Sequence, residues 1–229
     1  MVLLLALFPA PASAQGGYPV DLELVLAVDA SGSVDASEYA LQLQGIAAAL
    51  RDPEVQAAIA KQPHGSAVAL LIWAENNRPK DLSPWYLLSD SASVEAFAAV
   101  VESWPRRIAN GGTGIGKAMQ AGARALTDNA YDGSRLVIDI SGDGRETPPA
   151  DWSLGPAEGR AYAEARGVVI NGLAILTEDP ELDVYYRQEI ILGPGAFVLA
   201  ADSYESFAQA MRIKLLREFQ TEPRLSSLP

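Results

Sequence analysis

Apolar residues occur along this chain in runs and stripes that alternate between the spacing of buried strands and the spacing of helices. Nearly continuous apolar runs cover 22–28, 66–74 and 134–141, which is typical of parallel strands buried on both faces of a sheet. Two further strands are predicted at 167–175 and 196–201. Helical spacing is found in the segments 35–50, 92–104, 113–126, 159–166 and 206–219.

The segment DLSPWYLL, at 81–88, is a strand candidate that contains a proline, Pro84. Proline removes a hydrogen bond from a central strand but is tolerated at an edge, so we expect this segment to pair antiparallel with 66–74. The alternation of strands and helices predicts an α/β fold. Its centre is expected to be a doubly wound, mostly parallel six-stranded sheet with one antiparallel edge strand and helices on both faces, forming one domain over 21–221.

The first residues have the pattern of a secretory leader. An apolar run is followed by two prolines and by the small residues Ala12, Ser13 and Ala14 before Gln15. This pattern predicts a signal peptide over 1–14, cleaved after Ala14, and an exported protein of the periplasm or the medium. No stretch reaches the roughly 18 unbroken apolar residues of a membrane-spanning helix, so no membrane span is expected.

Charge and composition limit the chemistry that is available. The 229 residues carry 17 Lys and Arg against 29 Asp and Glu, a net charge of -12, which repels nucleic acid and makes a nucleic-acid partner unlikely on electrostatic grounds. There is no cysteine, and His64 is the single histidine. Thiolate chemistry and Cys/His zinc sites are therefore excluded, and any site must be built from carboxylates and hydroxyls.

The stretch GGTGIGKAM, at 111–119, has the G-x-x-x-x-G-K frame of a phosphate-binding loop. That motif needs Ser or Thr after the lysine and a buried strand before the loop. Here Ala118 follows Lys117, and the preceding segment ESWPRRIAN has no strand pattern. We therefore predict that the loop does not bind ATP, and that Lys117 is a solvated side chain on a helix.

A second constellation follows the strands expected to be most central. Asp29, Ser31 and Ser33 form the stretch DASGS after the first strand, and Asp143 follows the strand at 134–141. Ligands bind at the carboxyl ends of strands in such sheets, where the strand order reverses. Thr113 is expected at the same edge, so that two carboxylates and three hydroxyls would converge on a divalent cation and leave a position for an outside ligand.

Each of these residues also has an ordinary structural interpretation. Asp29 could cap a strand end, Ser31 and Ser33 could form a turn, and Thr113 could be the N-cap of a helix. Asp143 could be a turn residue between glycines. The metal-site interpretation therefore depends on the whole set.

The set D-x-S-x-S, then Thr113 in a glycine-rich loop, then Asp143 after an apolar strand resembles the metal-ion-dependent adhesion site of von Willebrand factor type A domains. The resemblance extends over about 21–219, with the motif SGDG in place of the commoner TDG motif. It implies Mg²⁺ or Mn²⁺ held by Asp29, Ser31, Ser33, Thr113 and Asp143. With the leader, VDASGSVD and VIDISGDG, the chain looks most like small exported bacterial proteins of this type whose function is uncharacterised.

The resemblance implies binding of a partner protein, whose Asp or Glu carboxylate completes the metal shell, and implies no enzymatic activity. Two alternatives stay open: a structural domain with a vestigial site, and a hydrolase that uses the metal to activate water. Against the hydrolase, we expect His64 at the opposite end of the sheet, and no other general base is evident.

Three further features have two interpretations each. Asp139, inside a predicted strand, could support the metal loops, or it could pair with backbone amides or with Arg135. Trp152 could contact the partner or cover the sheet edge. Arg106 and Arg107 could attract an acidic partner or be solvated.

Overall fold

The computed structural model describes residues 17–147 and 153–220, which contain nine strands. The strands are β1 Tyr18–Val20, β2 Leu22–Asp29, β3 Ser66–Trp73, β4 Asp81–Leu82, β5 Tyr86–Leu88, β6 Tyr131–Gly133, β7 Leu136–Gly142, β8 Val168–Ile175 and β9 Val198–Ala201. The main sheet has the order β4-β3-β2-β7-β8-β9, and β5 also pairs with β3. Only β4 and β5 are antiparallel to their neighbour in this sheet. The predicted doubly wound, mostly parallel sheet is confirmed.

Helices cover both faces of the main sheet. They are α1 Ala36–Arg51, α2 Pro53–Ile59, α3 Ser91–Glu102, α4 Ile115–Thr127, α5 Pro156–Glu164, α6 Leu182–Tyr185, continued by a π-helical turn Tyr186–Ile190, and α7 Phe207–Phe219. Among the described residues, no helix has the length and apolar character needed to cross a membrane.

The sequence of β2 explains why the sheet is buried on both sides. Leu24, Leu26 and Val28 belong to the core shared with α1, α3 and α7, whereas Val25 and Ala27 belong to the core shared with α4, α5 and α6. Successive strand residues point to opposite faces. An uninterrupted apolar run is therefore what a strand between two helical layers requires.

The antiparallel edge at 81–88 is split into two short strands, so that the main sheet has seven strands and not the predicted six. Pro84 lies in the break. Ser83 bridges it, because its backbone N–H donates to the Leu70 carbonyl at 2.8 Å and its hydroxyl accepts from the Leu70 N–H at 2.9 Å. The edge location was predicted correctly, and the interruption follows from the missing N–H of proline.

Several elements were not predicted. β1 and β6 form a separate two-stranded parallel sheet, and α2 follows α1 directly, with Asp52 as its N-cap and Pro53 in its first turn. The helix predicted at 35–50 begins at Ala36, because Asp35 is its N-cap and forms a capping box with Glu38. The proposed signal peptide at 1–14 lies outside the described residues.

Candidate metal site

The strand order places Asp29 and Asp143 at the same edge of the sheet. β2 and β7 are parallel neighbours, Asp29 is the last residue of β2, and Asp143 directly follows β7. The chain passes from β2 to β3 on one side, while β7 lies on the other side. The two carboxylates therefore lie where the strand order reverses, which is the usual ligand position in such sheets.

The loop after β2 is fixed by hydrogen bonds at its base. Oδ1 of Asp29 accepts from the Ser31 N–H at 2.7 Å, and the Asp29 carbonyl accepts from Nε2 of Gln42 on α1 at 3.1 Å. The Gly32 N–H donates to the Gly111 carbonyl at 2.9 Å. This last bond ties the DASGS turn to the loop that carries Thr113.

A chain of oxygen atoms connects the DASGS turn to Asp143. The Ser31 and Ser33 hydroxyl oxygens are 3.4 Å apart, and the Ser33 hydroxyl donates to Oδ1 of Asp143 at 2.7 Å. The Tyr204 hydroxyl donates to Oδ2 of the same carboxylate at 3.0 Å. Both oxygens of Asp143 are therefore oriented by hydroxyl donors from different parts of the chain.

One oxygen of Asp29 has no such donor. Oδ2 is buried and lacks a hydrogen-bond partner among the described residues, as does the nearby Tyr186 hydroxyl. Burial, and next the charge of Asp143, raise the pKa of Asp29 to about 7. Gly142 allows this arrangement, because a Cβ there would lie 2.9 Å from both Asp29 Oδ2 and the Tyr186 hydroxyl.

Thr113 lies on the loop before α4 and is nearly buried. Its N–H donates to the Thr147 hydroxyl at 2.7 Å, and its carbonyl accepts from the Thr147 N–H at 2.9 Å. A Cβ at Gly144 would be 3.4 Å from the Thr113 hydroxyl oxygen. That hydroxyl therefore faces the residue that follows Asp143.

Thr113 does not cap α4, contrary to one sequence interpretation. The N-cap is Gly114, which makes no side-chain capping bond. Oε2 of Glu146 instead accepts from the Gly116 N–H at 3.0 Å, while its Oε1 accepts from Asn76 at 2.7 Å. The Thr113 hydroxyl is thus not used by the helix terminus.

The donor set suits a hard divalent cation. Adjacent ligands of an octahedral Mg²⁺ are about 3 Å apart, since the metal–oxygen distance is about 2.1 Å. The Ser31–Ser33 and Ser33–Asp143 oxygen distances, 3.4 and 2.7 Å, are close to this spacing. No group of three or more His, Cys, Asp or Glu side chains placed to hold a metal is found in the described part of the chain. Hydroxyl oxygens must therefore supply part of any metal shell here.

The phosphate-loop frame also has a structural outcome. No strand precedes Gly111 in residues 103–110, as the sequence indicated. Lys117 lies on α4, but it is half-buried and its Nζ contacts Oε1 of Gln120 at 3.0 Å. The predicted position on a helix is confirmed, and the side chain is only partly exposed to solvent. The absence of ATP binding stays a prediction.

Arg106 and Arg107 both make contacts within the chain, although the Arg107 side chain is 56% exposed. Arg106 donates to the Val34 carbonyl and lies over the Tyr39 ring, and Arg107 forms an ion pair of 2.9 Å with Asp81. These contacts hold the segment before the Thr113 loop against α1 and the sheet edge. A role for Arg106 and Arg107 in attracting an acidic partner stays a prediction.

Asp139 has a third role that neither interpretation included. It is fully buried on β7 and pairs with Nζ of Lys214 on α7 at 3.2 Å, whereas Arg135 meets Glu218. Trp152 lies outside the described residues. His64 precedes β3 and contacts Asp21, at the end of the sheet opposite Asp29.

Sequence reasoning missed three residues that lie around the two carboxylates: Gln42, Tyr186 and Tyr204. Tyr186 and Tyr204 lie far from Asp143 along the chain and belong to no recognisable motif. Gln42 was detectable, because it is a polar residue three positions after Tyr39 and four before Ile46, on the apolar stripe of a predicted helix. A buried amide on such a stripe needs a partner, and here that partner is the Asp29 carbonyl.

Comparison with known proteins identifies the family and the fold. Residues 19–223 match the family model described as protein of unknown function (DUF1194), and the chain belongs to this family. No curated protein matches the chain.

Among solved structures, the pilus adhesin SpaC from Lactobacillus rhamnosus GG is similar with a TM-score of 0.62 and 14% identity, over 86% of this chain and 30% of that one. Proximal thread matrix protein 1 from the mussel byssus, with a zinc-occupied MIDAS motif, has a TM-score of 0.56 and 14% identity, over 88% of this chain and 49% of that one. An aerotolerance-related membrane protein from Bacteroides fragilis has a TM-score of 0.51 and 16% identity, over 86% of this chain and 99% of that one. The chain thus spans less than half of the first two proteins, and the likeness at these identities concerns the fold.

Proposed function

We propose that this DUF1194 protein is an exported protein-binding domain of the von Willebrand factor A type. Mg²⁺ or Mn²⁺ would be held by Asp29, Ser31, Ser33, Thr113 and Asp143, and a carboxylate of a partner protein would complete the metal shell. The observation that carries the proposal is the buried Asp29 Oδ2. This oxygen has no hydrogen-bond partner among the described residues, and it lies beside a cluster of oriented oxygen atoms. A bound cation would supply the positive charge that this oxygen lacks.

The proposed ligands differ in the charge that they would bring to a cation. Asp29 and Asp143 supply two negative charges, and the hydroxyls supply neutral oxygens. The two carboxylates would therefore just neutralise the 2+ charge of the cation, with no excess negative charge. Such a balance favours one further anionic ligand, whereas a site with three or four carboxylates would repel it. That further ligand would be the carboxylate of an Asp or Glu side chain of the partner.

The orientation of the ligands supports a preformed site. Ser31 N–H and Gln42 fix Asp29, and Ser33 and Tyr204 fix Asp143. Residues that orient metal ligands by hydrogen bonds commonly contribute 10–100-fold to affinity. The adhesin and the MIDAS-containing protein among the structural neighbours are consistent with a binding role for the same edge of the sheet.

Partner capture tests this function. The purified chain, immobilised, is exposed to an envelope extract of its native host in Mg²⁺, and again after chelation. Asp29→Ala removes one of two anionic ligands, whereas Asp132→Ala removes the same charge from an exposed position on β6. We expect one protein to be retained by the wild type and by Asp132→Ala in Mg²⁺, and lost with chelator or with Asp29→Ala. Retention indifferent to chelator and to Asp29 would contradict the proposal.

The same preparations distinguish the two alternatives. A vestigial structural site would bind neither Mg²⁺ nor Mn²⁺. A hydrolase would turn over ester or phosphoester substrates in a metal-dependent way, which the binding proposal does not predict.

Export is tested separately by expressing the full chain in a Gram-negative host. The leader pattern predicts a periplasmic or secreted protein whose first residue is Gln15. A cytoplasmic protein that retains Met1 would contradict export without affecting the metal site.

A further inference from the structure

A cavity of about 470 Å³ lies beside α4, between that helix, the end of β3 and the connection from β3 to β4. Its lining includes four cationic side chains, Arg78, Lys80, Lys117 and Arg124, and one acidic side chain, Asp128. The chain as a whole has a net charge of -12. The local excess of positive charge is therefore opposite in sign to the rest of the protein.

Two of these cations, Lys117 and Arg124, lack the carboxylate partners that other cations of this protein have. Arg51, Arg145 and Arg212 each meet a carboxylate oxygen at 2.6–2.8 Å. In the described part of the chain, no ion pair of Lys117 or Arg124 is found. Single surface cations without a carboxylate partner are ordinary, but four cations that line one concave space raise the local potential for an anion.

The two remaining cations are only weakly neutralised. The carboxylate of Glu75 is 3.9 Å from Nε of Arg78. Nζ of Lys80 donates to the backbone carbonyls of Glu75 and Arg78, at 2.7 and 3.1 Å. These bonds fix the ammonium group without cancelling its charge. Burial, and next the charge of Lys117, lower the pKa of Lys80 to about 8, while the carboxylates of Glu146, Glu75 and Asp29 oppose this shift.

The rest of the cavity wall is largely apolar. Leu71, Leu82, Ala121 and Ala125 contribute to it, and Leu82 is 40% exposed. Pockets that combine apolar walls with a few charged groups, at volumes of roughly 300–1,000 Å³, are typical of sites for small organic molecules. Asp128 lies just beyond the carboxyl end of α4, while Lys117 is in its first turn. An anionic group is therefore favoured at the Lys80–Lys117 end.

We propose that this cavity binds a small organic anion, with a carboxylate or phosphate group at the Lys80–Lys117 end and a short apolar body against Leu71, Ala121 and Ala125. The site is distinct from the Asp29–Asp143 cluster and needs no metal. None of its lining residues belongs to the proposed metal shell. The charge of Lys80 does act on Asp29, so the cavity is tested on metal-free protein with variants of Lys117 and Arg124, which are outside the metal shell.

Titration followed by nuclear magnetic resonance tests the proposal. The full chain is labelled with ¹⁵N, freed of metal on chelating resin, and titrated at constant ionic strength with hexanoate, with uncharged hexanamide and with inorganic phosphate. We expect saturable shifts with hexanoate in the backbone amides of 76–82 and 117–128, and binding of hexanamide at least tenfold weaker. The phosphate arm shows how much of the affinity belongs to the oxyanion alone.

Two variants with the same net charge provide the control. Lys117→Gln with Arg124→Gln removes two cations from the cavity, and Lys61→Gln with Arg187→Gln removes two from other surfaces. We expect the first to weaken hexanoate binding at least tenfold and the second to leave it unchanged. Failure of both anions to saturate, or equal binding by the two variants, would overturn the site. If phosphate binds as tightly as hexanoate, the anion site stands but the proposed contact of an apolar body with Leu71, Ala121 and Ala125 is overturned.

Discussion

The Tyr204 hydroxyl donates a hydrogen bond of 3.0 Å to Oδ2 of Asp143, although the two residues are 61 positions apart. Tyr204 is nearly buried and precedes the first turn of α7, whereas Asp143 follows β7. The position of the proposed metal ligand is therefore coupled to the segment that leads into the last helix. Ser33 orients the other oxygen.

Tyr204→Phe is expected to weaken Mg²⁺ binding by about tenfold, because Asp143 keeps its charge but loses one of its two orienting donors. Isothermal titration calorimetry measures the effect. Tyr162→Phe, on α5 and away from the site, is the matched control. Unchanged Mg²⁺ affinity in Tyr204→Phe would show that this hydroxyl does not position the ligand.

Asp29→Asn is expected to stabilise the metal-free protein at pH 8, by on the order of 1–3 kcal/mol. The wild-type carboxylate is buried, has one unpartnered oxygen and lies near Asp143, so its ionisation in the folded state is costly. Urea denaturation of both proteins without metal measures the difference.

The pH dependence of that difference has a definite sign. The pKa of Asp29 is raised from 3.8 to about 7 in the folded protein, so the folded state binds an extra proton between these values and the penalty vanishes as pH falls through this window. The advantage of Asp29→Asn should therefore shrink between pH 8 and pH 4. An advantage that is independent of pH would contradict this explanation.

Lys214→Met is expected to destabilise the protein by about 3–5 kcal/mol. Lys214 and Asp139 are both fully buried and paired at 3.2 Å, and no donor other than this ammonium reaches the Asp139 carboxylate among the described residues. Removing the ammonium leaves that carboxylate uncompensated. Chemical denaturation of the single variant Lys214→Met and of the double variant Lys214→Met with Asp139→Leu separates the loss of charge pairing from the loss of packing. The double variant should recover much of the lost stability.

Glu218 makes stability depend on pH at the same end of α7. Burial raises its pKa to about 7, and the cations Lys214 and Arg135 and the amide of Asn171 oppose the rise, while Asp139 adds to it. The folded state therefore binds more protons than the unfolded state between pH 4.5 and 7, and stability falls as pH rises through this window.

Glu218→Gln removes that proton uptake. The free energy of unfolding of the variant, minus that of the wild type, should rise from pH 4.5 to about 7 and then level off. The difference cancels the contributions of other groups. A flat difference across this range would show that Glu218 ionises as easily in the folded protein as in the unfolded chain.

The long central elements were predictable because their burial appears directly in the sequence. β2, β3 and β7 each have apolar residues on both faces, and this produces uninterrupted runs that only a sheet between two helical layers explains. The three-residue strands β1 and β6 and the seven-residue α2 were missed, because segments this short contain too few residues to show a periodic pattern of apolar positions. Pro84 predicted an edge, but the division of that edge depends on the Ser83 bridge.

The candidate site was predictable where topology alone decides the position. Asp29 and Asp143 end adjacent parallel strands, so their convergence follows from the strand order. Tyr186 and Tyr204 were not predictable, since each comes from a distant segment and is positioned by packing. The contacts of Arg106 and Arg107 were not predictable either, because a sequence shows two charges but not the carbonyl and the carboxylate that they contact.

The most direct test of the central claim is calorimetry with Mg²⁺ and Mn²⁺ on four proteins: the wild type, Asp29→Ala, Thr113→Ala and the charge-matched Asp132→Ala. We expect binding to the wild type and to Asp132→Ala, weaker binding to Thr113→Ala, which loses only a neutral oxygen, and none to Asp29→Ala, which loses one of two anionic ligands. Equal cation affinity in the wild type and Asp29→Ala would contradict the proposed metal site.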